Sequence, residues 1–343
     1  MWSDVKLPVV TSSERVTFKR CQKKWYWMWR RGLVARAKQF GALDLGNWMH
    51  DGLAAWYGKG RKREGSLMQW VTVYAQEALN QASVDGAPDY IIEAAEPMMM
   101  LAIHMAESYE DFYGKDDKIF VVRAEIPLEF TIPNRDGIIL AKHKLKPDLV
   151  FIDQYGQIWL MEHKTAKQVS TAHLVLDDQA RPYGAMSEPA LRDAGIIRPD
   201  RRFAGIMYNY LRKALVDQRP TNSKGQYLNK NGSVSKSQPP PYFIRHPVKM
   251  TRKAKMRTLS RVRDETLEIT EMTLRLRTGD MHPDRLNKTP HKSCAKLCPF
   301  FTMCVAEEEG SNVRNMEHDM FVRKNPYAYH DSTEELQTFE MVA

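Results

Sequence analysis

The sequence predicts an α/β fold in which helices flank a central mixed sheet, with a helical N-terminal addition and a cysteine-containing C-terminal region. Helical spacing dominates as far as residue 113, and short segments rich in β-branched and aromatic residues follow from residue 119. A helix, a strand and a second helix then complete the pattern after residue 169. This order of elements is typical of an α/β core that carries an added helical segment.

The N-terminal helical region is predicted to span residues 1–117. Its spacing indicates helices at Thr11–Gly32, Leu43–Trp56, Ser66–Ala82 and Asp89–Tyr113. The first helix is basic, since nine Lys or Arg and no acidic residue lie between Arg15 and Lys38. Four aromatic residues interrupt these cations: Trp25, Tyr26, Trp27 and Trp29. Such rings can stack on bases, but we expect at least two of them to be packed inside the protein.

The predicted core spans residues 118–218 and carries the sheet. Its predicted strands are Ile119–Ile132, Ile138–Leu140, Asp148–Ile152, Ile158–His163 and Phe203–Leu211, with a helix at Val169–Ala194. Residues 219–242 are polar and rich in Gly, Ser, Asn and Pro, which favours a flexible surface insertion. Residues 243–343 contain a long basic helix at Met250–Arg277, three cysteines and a tail, and we expect all four regions to form one composite domain.

Charge and composition favour a polyanionic partner and argue against a membrane protein. The chain has 343 residues, a formal net charge of +9 and a pI near 9.2. No apolar stretch of about eighteen residues occurs, and the N-terminus lacks the order of a signal peptide. We therefore expect an intracellular, cytoplasmic protein with no membrane association. In a reducing compartment, four cysteines favour a metal site over disulfides.

Asp148, Glu162 and Lys164 form the pattern D-x13-E-x-K, which suits metal-assisted hydrolysis of a phosphodiester. Residues two apart on a strand point to the same face, so Glu162 and Lys164 should project together while His163 turns away. Two carboxylates suit Mg²⁺ or Mn²⁺, and the backbone carbonyl of His163 can add an oxygen ligand. Lys164 would then orient the attacking water or stabilise developing charge. An E-x-K pattern alone more often marks a solvated strand face.

Two further features extend this pattern. His50, in GNWMHDGL, is a candidate metal ligand from the helical region, although a lone helical histidine is more often structural. Cys21 and the C-terminal triplet Cys294, Cys298 and Cys304 form a one-plus-three set of thiols that can close only if distant parts of the chain meet. Four thiolates suit either zinc or a 4Fe-4S cluster, and their spacing alone does not decide between the two.

In their order along the chain, these motifs resemble the iron–sulfur members of the RecB-like branch of the PD-(D/E)xK nuclease superfamily. That group includes the AddB nuclease domain, the CRISPR-associated protein 4 family and phage-encoded relatives. The motifs are TSSERVTFKRCQKKWYW, GNWMHDGL, LKPDLVF, EHKTA, QARPY and the C-x3-C-x5-C triplet. Leu145 departs from the pattern, because the aspartate motif often has glycine there, and the 219–242 insertion is long.

The resemblance implies a restriction-endonuclease-like core and a role for each motif. It assigns Cys21, Cys294, Cys298 and Cys304 to a structural 4Fe-4S cluster, and His50, Asp148, Glu162 and His163 to a Mg²⁺ or Mn²⁺ site. Asp148, Glu162 and Lys164 would be catalytic. Gln179 and Tyr183, from QARPY, would place the substrate phosphate or scissile end near the metal. Several members are 5′-to-3′ exonucleases.

The sequence thus predicts a metal-dependent DNA exonuclease that acts on single strands or DNA ends. The first alternative is a catalytically dormant DNA-binding subunit of a recombination or spacer-acquisition complex, with a recombinase, helicase or integrase as partner. A zinc-stabilised nucleic-acid binder unrelated to nucleases is the second alternative. The basic helix Met250–Arg277 is predicted to line the DNA path, because eight Lys or Arg and no acidic residue lie between Arg245 and Arg263.

Overall fold

The computed structural model describes residues 7–36 and 39–330, so residues 1–6, 37–38 and 331–343 of the predicted terminal regions lie outside the described chain. A five-stranded mixed sheet with helices on both faces forms the centre of the molecule, which confirms the predicted fold class. The division into four regions stays a prediction.

The first third of the described chain is mainly helical. Its strands are β1 (Val9–Thr11) and β2 (Leu33–Ala35), and its helices are α1 (Ser12–Arg20), α2 (Gln22–Trp25), α3 (Ala42–Tyr57), α4 (Leu67–Val84), α5 (Asp89–Glu93) and α6 (Glu96–Tyr113). A turn of π-helix at Tyr26–Arg30 continues α2. Trp25, Trp27 and Trp29 are all buried, as the expectation of packed aromatics requires.

The prediction of one helix at Thr11–Gly32 was wrong, because Cys21 leaves the helical conformation. Its backbone is extended (φ −164°, ψ 107°), and its Sγ accepts a hydrogen bond from the backbone N–H of Lys24 at 3.4 Å. Cys21 therefore ends α1 and caps the start of α2. The oxygen of Thr11 caps α1 in the same way, accepting the N–H of Glu14 at 3.1 Å.

Three other predicted elements are divided. The helix predicted at Asp89–Tyr113 breaks at Ala94 and Ala95, between α5 and α6. The strand predicted at Ile119–Ile132 becomes two strands, because Glu125 adopts a left-handed φ of 50° that no regular strand accommodates. The helix predicted at Val169–Ala194 begins only at Ala180, since the preceding residues form a short 3-10 turn and a loop.

The sheet strands are β3 (Phe120–Ala124), β4 (Leu128–Pro133), β5 (Ile139–Leu145), β6 (Leu149–Ile152), β7 (Ile158–Ala166), β8 (Phe203–Arg212) and β9 (Phe243–Val248). The central sheet has the order β3-β6-β7-β8-β9, in which only the β7–β8 pair is parallel. A second sheet, β1-β5-β4, shares no strand pairing with it, but β4 and β5 pack into the same core as the α7 face of the central sheet. The β7–β8 pair is joined through α7 (Ala180–Asp193), as parallel neighbours require a crossover connection.

Alternating residues of the central strands face two separate cores. Trp159 and Met161 pack with α3, α4 and α6, whereas Ile158 and Leu160 pack on the opposite face with α7. The same alternation continues along β7, so Glu162 follows the α7 face. This three-layer arrangement lets side chains of β7 reach residues from the helices of either layer.

The C-terminal part of the described chain returns to the N-terminal elements. It contains α8 (Arg252–Thr278), α9 (Cys294–Leu297), α10 (Phe301–Glu308), α11 (Arg314–Met320) and β10 (Phe321–Arg323). β10 pairs antiparallel with β2, so the two ends of the described chain meet. Gly32 allows this approach: its φ is +64°, and a Cβ there would lie 2.4 Å from the carbonyl oxygen of Lys324.

The insertion 219–242 has no helix or strand of its own, in agreement with its polar sequence. Isolated bridges join Thr221 to Tyr227 and Leu228 to Val234, and Arg219 forms an ion pair with Asp217 at 2.6 Å. Its predicted flexibility stays a prediction. In the part of the chain that the structure describes, no helix is both long and apolar enough to cross a membrane.

Candidate active site

Asp148, Glu162 and Lys164 meet where the start of β6 lies beside β7, two inner strands of the central sheet. Asp148 lies immediately before β6, and Glu162 and Lys164 lie on the antiparallel neighbour β7. Oδ2 of Asp148 accepts the backbone N–H of His163 at 2.6 Å, which ties the aspartate to β7. The two carboxylates are 6% and 2% exposed. The pairing of β6 with β7 therefore brings together the residues that the sequence pattern singles out.

The two buried carboxylates have opposite pKa shifts. Burial raises the pKa of Glu162 to about 8, and the negative charge of Asp148 adds to this shift. Burial also opposes ionisation of Asp148, but the charge and hydrogen bond of His50 hold the pKa of Asp148 well below its usual range. At neutral pH and without metal, Glu162 therefore carries a proton and Asp148 is ionised.

Oε1 of Glu162 has no hydrogen-bond partner among the described residues, although it is buried. A buried polar atom is ordinarily hydrogen-bonded, because leaving it unpaired costs about 1–3 kcal/mol. An unpaired carboxylate oxygen next to a second carboxylate is the kind of ligand atom that a hard divalent cation binds. The unpaired atom is therefore consistent with a ligand position.

Gln179 links Glu162 to Lys164. Its Nε2 donates to Oε2 of Glu162 at 3.2 Å, and its Oε1 accepts from Nζ of Lys164 at 3.0 Å. Nζ of Lys164 itself lies 3.4 Å from Oε2 of Glu162. The position of Gln179 is fixed by Asp177, whose Oδ1 accepts the N–H groups of Gln179 and Ala180 at the start of α7. The E-x-K pair and the Gln residue thus form one hydrogen-bonded unit.

His50 reaches the carboxylates from α3. Its Nδ1 lies 3.4 Å from Oδ2 of Asp148. Burial alone would lower the pKa of His50, but the charge of Asp148 raises it above its ordinary value. Gly46, one turn earlier on α3, allows the helix to lie against β7, because a Cβ there would be 3.3 Å from Oγ1 of Thr165.

The imidazole of His163 turns away from the carboxylates, as the strand alternation predicts. It stacks on the ring of Tyr57 (centroid distance 5.8 Å, interplanar angle 13°), and its Nδ1 lies 2.8 Å from Nδ2 of Asn209. Burial lowers the pKa of His163 to about 3, so the ring is neutral and Nδ1 accepts the amide N–H of Asn209. The side chain of His163 serves packing here, and a metal-binding role of its carbonyl stays a prediction.

Tyr183 contacts the segment that precedes Asp148 and also lies beside Gln179. Its hydroxyl accepts the backbone N–H of Lys146 at 3.3 Å, two residues before Asp148. The described contacts of its hydroxyl include no hydrogen bond to Asp148 or Glu162. The contact holds the β5–β6 connection, so Tyr183 acts on the position of Asp148.

A buried polar network behind His163 was not predicted from the sequence. Nδ2 of Asn209 also donates to the hydroxyl of Tyr109 at 2.9 Å, and this hydroxyl lies 2.8 Å from that of Tyr57. Arg245 then pairs with Asp116 at 2.6 Å at the outer end of the network. Only Asn209 carried a local signal, because it is a polar residue in the otherwise apolar centre of β8.

The four cysteines are free thiols at the junction of the N- and C-terminal elements. Burial raises the pKa of the Cys304 thiol, and its neighbours Cys21 and Cys298 raise it further. Cys294 lies one turn before Cys298, whose N–H donates to the Cys294 carbonyl at 3.1 Å. Hydrogen bonds between Asn287 and the Gln22–Lys23 segment bring the regions together. The meeting of distant segments that the one-plus-three pattern requires is therefore present.

Among the described residues, no group of three or more His, Cys, Asp or Glu side chains is arranged to hold a metal ion. At the carboxylate pair, the protein offers two acidic side chains. At the cysteines, Cys21 and Cys298 lie near Cys304, but no three of the four described thiols are close enough together to hold one metal ion. The donor chemistry of each location still fits the group that the motifs imply, since hard oxygens suit Mg²⁺ or Mn²⁺ and thiols suit iron–sulfur or zinc.

Both predicted basic segments reach the entrance of this site. Lys19 of α1 and Arg261 of α8 approach the same atom, Oδ1 of Asp178, at 2.8 and 3.9 Å. Asp178 directly precedes Gln179. Nearer the start of α8, Nζ of Lys255 forms an ion pair with Glu188 at 2.8 Å, whereas Arg252 and Arg257 are exposed. The cations in this part of α8 that can receive a phosphate backbone are therefore the exposed Arg252, Lys253 and Arg257 rather than Lys255.

Comparison with known proteins agrees with this geometry. No curated protein matches the chain significantly. A family model described as the PD-(D/E)XK nuclease superfamily matches residues 10–305, which include the carboxylate pair, Lys164 and all four cysteines. With a mixed sheet whose inner strands bring an aspartate and an E-x-K motif together, the chain belongs to the PD-(D/E)XK nuclease superfamily.

Proposed function

We propose that the protein is a metal-dependent DNA exonuclease that acts on single strands or DNA ends. The observation that carries the proposal is the buried pair of Asp148 and Glu162, with Oε1 of Glu162 unpaired and Lys164 beside it. Membership of the superfamily supports a nuclease. The exposed arginines of α8 and the formal charge of +9 support a nucleic-acid substrate.

Asp148 and Glu162 would hold Mg²⁺ or Mn²⁺, with the His163 carbonyl as a further oxygen and His50 beside them. Mg²⁺ commonly binds one or two carboxylates and keeps several waters or substrate oxygens, so a two-carboxylate site is sufficient. When bound, the ion lowers the pKa of a coordinated water and offsets charge on the phosphate.

The remaining residues of the site orient the reacting groups. Lys164 carries the positive charge closest to Glu162, and its raised pKa keeps it protonated, since the charges of Glu162 and Asp148 outweigh the effect of burial. It can therefore stabilise negative charge that develops on the phosphate. Gln179 fixes Lys164 relative to Glu162, and His50 fixes Asp148. Tyr183 holds the connection that precedes Asp148.

End-labelled single-stranded and duplex DNA, incubated with Mg²⁺ or Mn²⁺, tests this proposal. Glu162→Gln should lower the cleavage rate by more than the roughly 10- to 100-fold that the loss of an outer-shell partner costs. Glu129→Gln is the matched control, because Glu129 is a half-exposed carboxylate on β4. An exonuclease should leave circular single strands intact.

Two results would contradict the proposal. Full activity of Glu162→Gln would place the reaction elsewhere. DNA binding without cleavage by the wild-type protein would favour the dormant DNA-binding subunit instead.

We further propose that Cys21, Cys294, Cys298 and Cys304 hold a structural 4Fe-4S cluster, as in the RecB-like iron–sulfur branch. Four free thiols from both ends of the described chain support this assignment, because such clusters are held by four cysteines. Protein purified without oxygen should contain iron and sulfide in equal amounts and show broad visible absorbance. Cys21→Ala and Cys298→Ala should each lose it, and a colourless protein with one zinc per chain would contradict the proposal.

A further inference from the structure

A cleft of about 320 Å³ opens beside Lys164, on the side of the sheet that α7 covers. We call it the tyrosine cleft and define it by Lys164, His173, Asp177, Gln179, Tyr208 and Tyr210. Two of these residues, Lys164 and Gln179, also belong to the hydrogen-bonded unit at Glu162. A molecule in the cleft therefore lies next to the site of hydrolysis.

Tyr208 has a polar group that nothing in the described chain satisfies. The residue is 1% exposed, and its hydroxyl has no hydrogen-bond partner. Its ring lines the cleft and stacks against that of Tyr210, with 6.2 Å between the ring centroids. Burial raises the pKa of Tyr208, and the charge of Glu162 adds to the shift, so the hydroxyl keeps its proton. The cleft thus contains a buried donor without an acceptor.

The lining combines the features that recognise a nucleobase. Tyr208 and Lys164 are donors, Asp177 adds a carboxylate, and the wall of the cleft contains the rings of Tyr208 and Tyr210, which are 1% and 5% exposed. Ligand pockets range from about 300 to 1,000 Å³, so this cleft is at the small end and suits one unit rather than a stretch of chain. Bases of single strands bind through aromatic contacts and hydrogen bonds to their edges.

We propose that the tyrosine cleft binds one unpaired deoxynucleotide, the one that adjoins the scissile phosphodiester, with the hydroxyl of Tyr208 donating to its base. The inference rests on the proposed nuclease function and specifies its substrate. A base in the cleft cannot remain paired or stacked in a duplex. The site therefore selects frayed or single-stranded termini over blunt duplex ends.

Binding of a short oligothymidylate in Ca²⁺, measured by fluorescence anisotropy, tests the inference. The second ligand is the same oligonucleotide with an abasic residue at each terminus. Tyr208→Phe should weaken binding of the intact strand by about threefold to tenfold, the value of one hydrogen bond, and leave binding of the abasic strand unchanged. Its thermal midpoint should stay the same or rise, because the removed hydroxyl had no partner. Tyr155→Phe is the matched control, since Tyr155 is 78% exposed.

Cleavage assays with the same oligonucleotide separate this inference from the function on which it rests. If the wild type cleaves in Mn²⁺ while Tyr208→Phe binds both strands like the wild type, the cleft assignment is wrong and the nuclease stands. Equal weakening for both strands also overturns it, because the hydroxyl would then act on the backbone or the fold. A wild-type protein that neither binds nor cleaves DNA overturns both.

Discussion

Glu162 combines three properties that rarely occur in one residue: deep burial, a neighbouring carboxylate and an unpaired oxygen. Each property disfavours the ionised carboxylate, which has neither solvent nor a full set of hydrogen bonds, so in the metal-free fold Glu162 keeps its proton at neutral pH. Lys164 and Gln179 offset only part of this, since both contact the same oxygen, Oε2. Glu162 therefore has a cost to stability, which the catalytic role proposed for it would explain.

This cost should appear as a pH dependence of stability. Folded Glu162 keeps its proton up to a pKa of about 8, against an ordinary value of 4.5, so stability falls as the pH rises through this interval. His163 has the opposite sign: its folded pKa of about 3 against 6.5 gives stability that is complete only above pH 6.5. Between pH 6.5 and 8 the stability that Glu162 contributes is lost together with that of His50, whose folded pKa is also raised, so the share of Glu162 is read as the difference from Glu162→Gln.

Urea unfolding at several pH values, with divalent metals removed, measures this effect. Relative to Glu162→Gln, the wild type should lose about 1–2 kcal/mol of unfolding free energy between pH 6.5 and 8. The difference between the two proteins cancels titrations that they share. A difference that does not change with pH would show that the Glu162 carboxyl ionises normally.

At the scale of elements, the sequence predicted the type of each long segment better than its ends. Helix α3 lies within a residue of its predicted bounds, because apolar residues repeat at helical spacing over its length. Cys21 and Asp177 show why other ends were missed. Cys21 caps α2 through its sulfur, and cysteine is a residue type that gives no capping signal in a sequence. Asp177 accepts the N–H of Gln179 at the start of α7, but it lies in a segment whose apolar spacing still indicates a helix.

The residues of the candidate site also fall into a group that the sequence predicted and a group that it did not. Asp148, Glu162, Lys164 and Gln179 were predictable because each belongs to a short motif. Asn209 and Tyr208 were not singled out, since their roles depend on what β8 meets across the sheet and the cleft. Contacts such as that of Asn209 with Tyr109, between residues 100 positions apart, leave no local periodicity.

Helix α8 should bind the DNA backbone through its N-terminal half. Arg252→Ala combined with Arg257→Ala should weaken DNA binding and lower the slope of log affinity against log salt by about 0.7 to 0.9 for each lost phosphate contact. Arg275→Ala with Arg277→Ala is the matched control, because it removes two arginines about 30 Å away on the same helix. Equal slopes for both variants would mean that the DNA runs elsewhere.

At the scale of the whole molecule, residues from the two ends of the described chain hold each other. Glu14 of α1 accepts hydrogen bonds from Trp25 at 2.9 Å and from the hydroxyl of Tyr327 at 2.8 Å. Nζ of Lys23, on a side chain that is 1% exposed, contacts Glu307 and the carbonyl of Pro283. Glu307 lies near Cys304, so the Lys23–Glu307 contact supports the junction beside the cysteines independently of any cluster.

Lys23→Met should therefore destabilise the protein by about 2–3 kcal/mol. This is less than the usual cost of breaking a buried ion pair, because Glu307 keeps Lys288 at 2.9 Å. Urea unfolding measures the loss. Lys24→Met is the control, since Lys24 is adjacent but less buried. An equal loss in both variants would show that the Lys23–Glu307 contact contributes nothing specific.

The pairing of β2 with β10 also affects how the protein folds during translation. The paired residues are separated by nearly 290 positions, so β2 leaves the ribosome about 15 to 60 s before its partner strand is made. The central sheet, whose strands end at Val248, is complete earlier in synthesis. The central sheet can therefore form first, before β10 is available to pair with β2 and before Cys21 can meet the C-terminal cysteines. Premature termination beyond β9 would yield a chain that has its carboxylate pair but not its closing strand.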